Sequence, residues 1–215
     1  MKRIKTYIIL ILPIALNSCV AYYPQVVDIP LIEKKGDLRI NAGLATPASF
    51  LSAHGTVSYG LTNTIATQVY GSIDLYSRYN IQGAVGYFKK LKSENIIELY
   101  GGYGYGNSFD FGDEYFNNHL VFAQFNIGKT NQGKLNLDYG FSLKGGHLYV
   151  DYIKPWCIPR SASGLMLEPS AFFRFGSERM KVGFQFNYLY TKIVEDIHYL
   201  PFSVGMSVNF NISTR

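Results

Sequence analysis

Eight ionisable side chains fall at alternate positions of strand-like segments: Arg39, Asp74, Glu98, Asp138, Lys144, Glu168, Arg174 and Lys181. Four are cationic and four anionic. Paired carboxylates do acid–base work when held together, and opposed charges in an enclosed space form ion pairs. Glu98 and Asp138 are the available carboxylate couple, but they lie on different segments. Pairing with Arg174 or Arg39 is therefore the expected outcome. The four histidines, His54, His119, His147 and His198, show no metal-ligand spacing, and the chain contains no HExxH or CxxC. No metal and no cofactor are expected. His54 lies on a polar face and reads as a hydrogen-bonded interior residue. Ser161 and Ser163 have no recognisable partner, and no GxSxG element is present.

These residues need elements to position them, and the dominant signal from Asp37 onward is an alternation of period two. In FSVGMSVNFNI, Phe202, Val204, Met206, Val208, Phe210 and Ile212 share one face. Ser203, Gly205, Ser207, Asn209 and Asn211 share the other, because successive strand side chains point to opposite sides. LNLDYGFSLK, LMLEPSAFFRF and KVGFQFNYLYTK divide in the same way. Weaker versions run at 37–44, 53–61, 65–74, 80–89, 95–106 and 119–129, giving ten candidate strands. Short connections at 62–64, 90–94, 130–134 and 176–179 alternate with mostly longer ones at 45–52, 75–79, 107–118, 145–164 and 193–201.

This is the plan of a membrane barrel, with short periplasmic turns and longer outer loops. A tilted spanning strand needs about 9 to 11 residues. Outward-face rings cluster towards both ends: Tyr59, Tyr87, Phe125, Phe175 and Phe210 at one, Tyr103, Tyr105, Tyr188 and Tyr190 at the other. Two aromatic belts are what two bilayer interfaces favour. The competing reading is a soluble β-sandwich or lipocalin-like barrel. It would carry Lys and Glu on its polar faces, where this chain has Gly, Ser, Asn, Gln and Thr with single charges. The fold expected is an all-β, closed antiparallel transmembrane barrel of about ten strands.

Composition agrees. The 215 residues include 18 Tyr, 15 Phe and 21 Gly, and only 16 % are charged, against about 25 % in ordinary soluble proteins. The N-terminus is basic (Lys2, Arg3, Lys5) and then apolar from Tyr7 to Leu16. Ten apolar residues are too few for a spanning helix and suit a secretory signal. Leu16-Asn17-Ser18-Cys19 resembles the lipobox of bacterial lipoproteins, which implies cleavage before Cys19 and a covalent lipid on it. Residues 1–18 are then a signal peptide, 19–36 a lipidated tether with Pro24, Pro30 and a charged cluster, and 37–215 the barrel. Loss of the signal lowers the formal charge from +5 to +2, so the basic pI is no nucleic-acid footprint, and no nucleic-acid partner is expected.

With the stretches GTVSYGLTNTIATQVYGSID and DIPLIEKKGDLRI, the chain resembles small outer-membrane β-barrel lipoproteins of the Bacteroidetes type. The resemblance implies architecture and an outer-membrane location with the N-terminus on the periplasmic side. It implies no chemistry. The first functional expectation is a structural or surface-interaction role without catalysis. The partners are the bilayer, the lipid on Cys19, and an extracellular or envelope protein met by the loops. Phe109, Phe111, Tyr115 and Phe116, among acidic residues in 107–118, form the candidate loop patch. The second expectation is a narrow channel for ions or small solutes through a polar lumen. Large pores need about 16 strands, which argues against a general porin. The third is a rim hydrolase, for which only His147, His198, Asp151 and Asp196 are candidates.

Overall fold

The computed structural model describes residues 22, 24–25, 28–46, 51–75, 77–109, 115–130, 136–153, 160–193 and 201–213. The described elements are all strands: β1 (Asp37–Thr46), β2 (Ser52–Gly60), β3 (Ile65–Asp74), β4 (Tyr79–Lys90), β5 (Asn95–Phe109), β6 (Tyr115–Thr130), β7 (Asp138–Ile153), β8 (Arg160–Gly176), β9 (Met180–Tyr188), β10 (Tyr190–Ile193) and β11 (Phe202–Ser213). Each pairs antiparallel with its neighbours, and β1 pairs with β11 from Asp37↔Ser213 to Thr46↔Val204. β9 pairs with both β11 and β8, which closes the sheet into a barrel.

Eleven segments make ten staves. β9 and β10 pair with β8 in one register, Ser170↔Asn187 below the break and Leu167↔Tyr190 above it. That register puts Pro169 opposite Tyr188. Proline has no N–H to give to a ladder, so the ladder lapses there. On the other side Leu189 N–H still donates to the Pro201 carbonyl at 2.6 Å, and the wall continues.

The faces are inverted relative to a protein in water. Val121 is 63 % exposed and Leu165 70 %, whereas Asn126 and Asn187 are fully buried. Phe173, Phe175 and Phe184 stack on the outside with centroids 5.2 and 6.3 Å apart. Gln68, Gln82, Gln124 and Ser142 point inward and are buried. The alternation read from sequence is therefore a division between exterior and lumen.

The wall is uneven. β5 to β8 have 15 to 17 residues, while β2 and β3 have 9 and 10. Two expected long connections are shorter than the sequence suggested, because the strand ladders run on into them. Phe109 pairs with Tyr115, and β7 pairs with β8 up to Tyr152↔Arg160. Residues 107–109 and 115–118 of the loop expected over 107–118 are strand instead. Phe109 closes β5 and Tyr115 and Phe116 open β6, while Phe111 lies outside the described residues, as do Cys19, Trp156, Cys157, Asp196 and His198.

The largest departure is at the N-terminus. The described residues before β1 lie inside the barrel, where the reading of this stretch as a tether does not place them. Tyr22, Gln25, Asp28, Ile29, Leu31 and Ile32 are each under 5 % exposed. The turn at 34–36 reverses the chain into β1, with Gly36 at φ 82°, a left-handed value that glycine takes without steric cost.

Candidate functional site: a plugged lumen

The described residues of the N-terminal segment meet the wall at successive levels of the lumen. At the short-turn mouth Glu33 receives Lys90 Nζ at 2.8 Å and Thr130 Oγ1 at 2.9 Å. One step in, the Ile32 N–H donates to Glu98 Oε1 at 2.8 Å, and Arg39 donates to the Leu31 carbonyl at 3.4 Å. Leu31 takes φ 53°, a conformation few non-glycine residues adopt. Arg174 Nη2 then donates to Asp28 Oδ1 at 2.5 Å and to the Ile29 carbonyl at 2.7 Å. Gln68 donates to the Asp28 carbonyl at 2.7 Å. Towards the long-loop end, Tyr70 and Ser72 both donate to Gln25 Oε1, at 2.9 and 2.8 Å. Ser203 donates to the Pro24 carbonyl at 3.0 Å, and Tyr22 donates to Glu168 Oε1 at 3.0 Å.

The wall is shaped to admit this segment. A Cβ on Gly128 would lie 2.8 Å from Leu31 Cδ2, and one on Gly60 would collide with the Lys34 carbonyl oxygen. Ile29 and Leu31 join Ile96 and Phe172 in a small buried apolar cluster. Tyr22 belongs to a larger one with Leu120, Phe122, Leu148, Val150, Met166 and Leu189. The tall side of the wall thus presents an apolar inner surface towards the long-loop end, within a lumen otherwise lined by polar groups.

All eight ionisable residues singled out from sequence face the lumen. Two pairs join strand to strand, Lys181–Asp138 at 2.6 Å and Lys144–Glu168, and Asp74 at the end of β3 pairs with Arg78 in the following connection at 2.6 Å. Arg78 was not among the sequence candidates. It precedes β4, outside any alternating run. The other three, Glu98, Arg174 and Arg39, take partners that sequence reasoning did not assign. Glu98 does not pair with Arg174 or Arg39: it accepts from the Ile32 N–H and from Asn126 Nδ2 at 2.9 Å. Arg174 turns to Asp28. Asp138 pairs with Lys181 instead of Arg174 or Arg39. His54 is buried, yet neither ring nitrogen has a hydrogen-bond partner among the described residues. His119 points outward and accepts or donates at 2.5 Å with the Tyr103 hydroxyl.

Electrostatics at the mouth favour a closed latch. Burial by itself raises the Glu33 carboxyl, but the hydrogen bonds from Lys90 and Thr130 and the charges of Lys90 and Arg39 together outweigh it. The carboxyl is held below its ordinary value. Beside Asp28, Arg39, Asp138 and Arg174 lies a small cavity of about 20 Å³, room for about one water molecule. A vestibule of about 330 Å³ opens among Glu33, Asp37, Arg39, Glu178 and Lys181. Among the described residues no group of three or more His, Cys, Asp or Glu side chains could hold a metal ion.

Chemically the site is a set of ion pairs and hydrogen bonds around an irregular peptide. It defines a closed, internally plugged β-barrel. The chain matches no family model and no curated protein. Among solved structures it is similar to the N-terminal β-barrel domain of Pseudomonas aeruginosa OprF, with 14 % identity over 83 % of this chain and 99 % of that one, at a TM-score of 0.42. It is also similar to a bacterial polysaccharide outer-membrane secretin, with 6 % identity over 86 % of this chain and all of that one, at a TM-score of 0.30.

Proposed function

We propose that this chain is an outer-membrane β-barrel lipoprotein with a structural or surface-interaction role, whose lumen is kept shut by its own N-terminal segment. The observation that carries this reading is the inversion of faces around a filled lumen. Each Val, Leu or Phe side chain left in water forgoes about 1.5–3 kcal/mol. Exposed side chains of this kind occur on every stave, and their sum in water would exceed the whole stability of a typical domain, about 5–15 kcal/mol. A bilayer removes that cost, and a closed barrel is one of the two forms that can cross it. Signal peptide, acylation of Cys19 and an outer-loop protein partner remain parts of the proposal, supported by the sequence features above.

The interior supports no catalytic assignment. Its carboxylates are committed to cations or amides, and the rim candidates His198 and Asp196 lie outside the described residues. The channel reading requires the plug to leave, since Asp28, Ile29, Leu31 and Ile32 are buried in the lumen.

The discriminating experiment is planar-bilayer recording of the purified protein. The full chain is expected to give no steady conductance. A chain lacking residues 24–33 is expected to give discrete steps while keeping a heat-modifiable folded band on gels. Steady conductance from the intact chain would replace the structural reading with the channel.

A further inference from the structure

The vestibule at the short-turn mouth holds groups that neither the ion pairs nor the plug use fully. Arg39, Glu178, Lys181 and Asn211 line both it and the small cavity beside Asp28. Most charges around them are committed. Lys181 holds Asp138, and Glu33 holds Lys90. Asp37 Oδ2 accepts from the backbone N–H groups of Glu33 and Lys34, at 3.0 and 3.2 Å. Arg39 differs. Among the described residues it forms no ion pair, and its side chain makes only the long contact to the Leu31 carbonyl. Its Nε is enclosed without a partner. Directly across the β1–β11 ladder stands Asn211, whose Oδ1 is likewise enclosed without a partner. Asn211 Nδ2 donates to the Glu178 carbonyl at 3.5 Å, which brings that exposed acid to the same edge.

We propose that the vestibule is a binding site for the zwitterionic head of a free α-amino acid. Arg39 takes the carboxylate, and Asn211 with Glu178 takes the ammonium, the side chains turning to the ligand as it enters. A donor or acceptor shut away without a partner is costly, and here the two orphans are opposite in kind. A guanidinium fork suits a carboxylate, and an amide oxygen accepts from an ammonium. Side chains directly opposite on neighbouring strands have Cβ atoms about 4.5–5.5 Å apart. The two charges of an α-amino acid sit on one carbon, so a single molecule can answer both. The lining also carries balanced charge, with Glu33, Asp37 and Glu178 against Lys34, Arg39 and Lys181, which suits a zwitterion better than a lone ion. The volume of about 330 Å³ leaves room for a side chain, and Thr130 and Asn136 offer it polar contacts. This site goes beyond the structural role proposed above. It is a property of the closed barrel, so its test does not depend on which membrane holds the chain.

The test is a titration of the full chain in detergent micelles with L-alanine, N-acetyl-L-alanine and L-alaninamide. NMR follows the Arg39 Nε–H and the Asn211 side-chain amide. L-alanine is expected to shift both signals saturably. N-acetyl-L-alanine lacks the ammonium and L-alaninamide lacks the carboxylate, so each should bind at least about tenfold more weakly. Arg39→Gln should abolish the response at Asn211. Should that variant lose its heat-modifiable band, Glu178→Gln carries the test, because it changes only an exposed side chain in the 176–179 turn. It should weaken L-alanine and leave N-acetyl-L-alanine unchanged. Absence of any shift with L-alanine at millimolar concentration overturns the proposal. So does equal binding of the three probes, or a Glu178→Gln titration identical to that of the parent.

Discussion

The wall and the plug are held by different kinds of contact. Wall strands are joined by long ladders of backbone bonds, such as the fifteen paired positions between β5 and β6, and the side chains only decide which face is which. The plug has no such ladder in the described residues. It is fixed one side chain at a time, by Arg174, Glu98, Gln68, Ser72 and Ser203. Ladder bonds are many and individually dispensable, whereas the plug depends on a few buried charged contacts. Breaking a buried pair by removing one partner costs about 3–5 kcal/mol. A barrel built this way is expected to lose its plug before its wall.

The sharpest way to break that comparison is Arg174→Ala. It removes the bonds to Asp28 and Ile29 together and should loosen the plug by about 3–5 kcal/mol. Amide exchange in residues 28–33 should accelerate while β5–β8 stay protected. Equal acceleration in both regions would show that wall and plug are one cooperative unit. Asp28→Asn should do less, since an amide oxygen still accepts from Arg174.

Val121→Arg attacks the wall instead. This outward position on β6 is 63 % exposed, and a cation near the bilayer midplane costs about 2–4 kcal/mol. Urea unfolding in vesicles should shift by that amount with plug exchange unchanged. No shift in vesicles would argue that the face meets water.

Gly60→Ala is the next step down. The added methyl meets the Lys34 carbonyl oxygen and lies 3.2 Å from Ile32 Cγ2. Overpacking of this kind costs about 1–3 kcal/mol, and the plug's lower end should yield before the wall. Unaltered exchange at Ile32 and Glu33 would show that this end has slack.

The smallest effect belongs to pH. The Glu33 carboxyl is held below its ordinary value of 4.5. Its stabilisation of the latch is therefore complete above that value and is lost as pH falls through the lowered one. Exchange at residues 32–35 should rise modestly on acidification below 4.5. Glu33→Gln should remove that pH dependence. A rise on going to higher pH would contradict the sign.

Much of the wall was legible because lipid and lumen impose a period of two that any alternating run displays. Turns such as Thr62-Asn63-Thr64 stand out for the same reason. The break at Leu189 was not legible, because it depends on Pro169 falling opposite Tyr188 across two strands. Arg78 escaped because it lies just outside β4, on no alternating run. The plug escaped most completely. Its residues follow no period, since each inner surface they meet belongs to a different strand, and their partners lie up to 179 positions away. Two hints were present in DIPLI: an acid beside a run of apolar residues, in a stretch too irregular for a strand and too apolar for a solvated linker.

By itself the sequence determined which side chains face outward and which inward, because alternation is a local property of an extended backbone. Only the tertiary structure decided what fills the space the inward set encloses. That required the ring to close, which brings Glu98, Arg174 and Ser203 around one axis. Their hydrogen-bonding needs converge there on Asp28, Ile29, Ile32 and Pro24 of the N-terminal segment. The enclosed volume is a property of the closed barrel, and no single strand carries a trace of it.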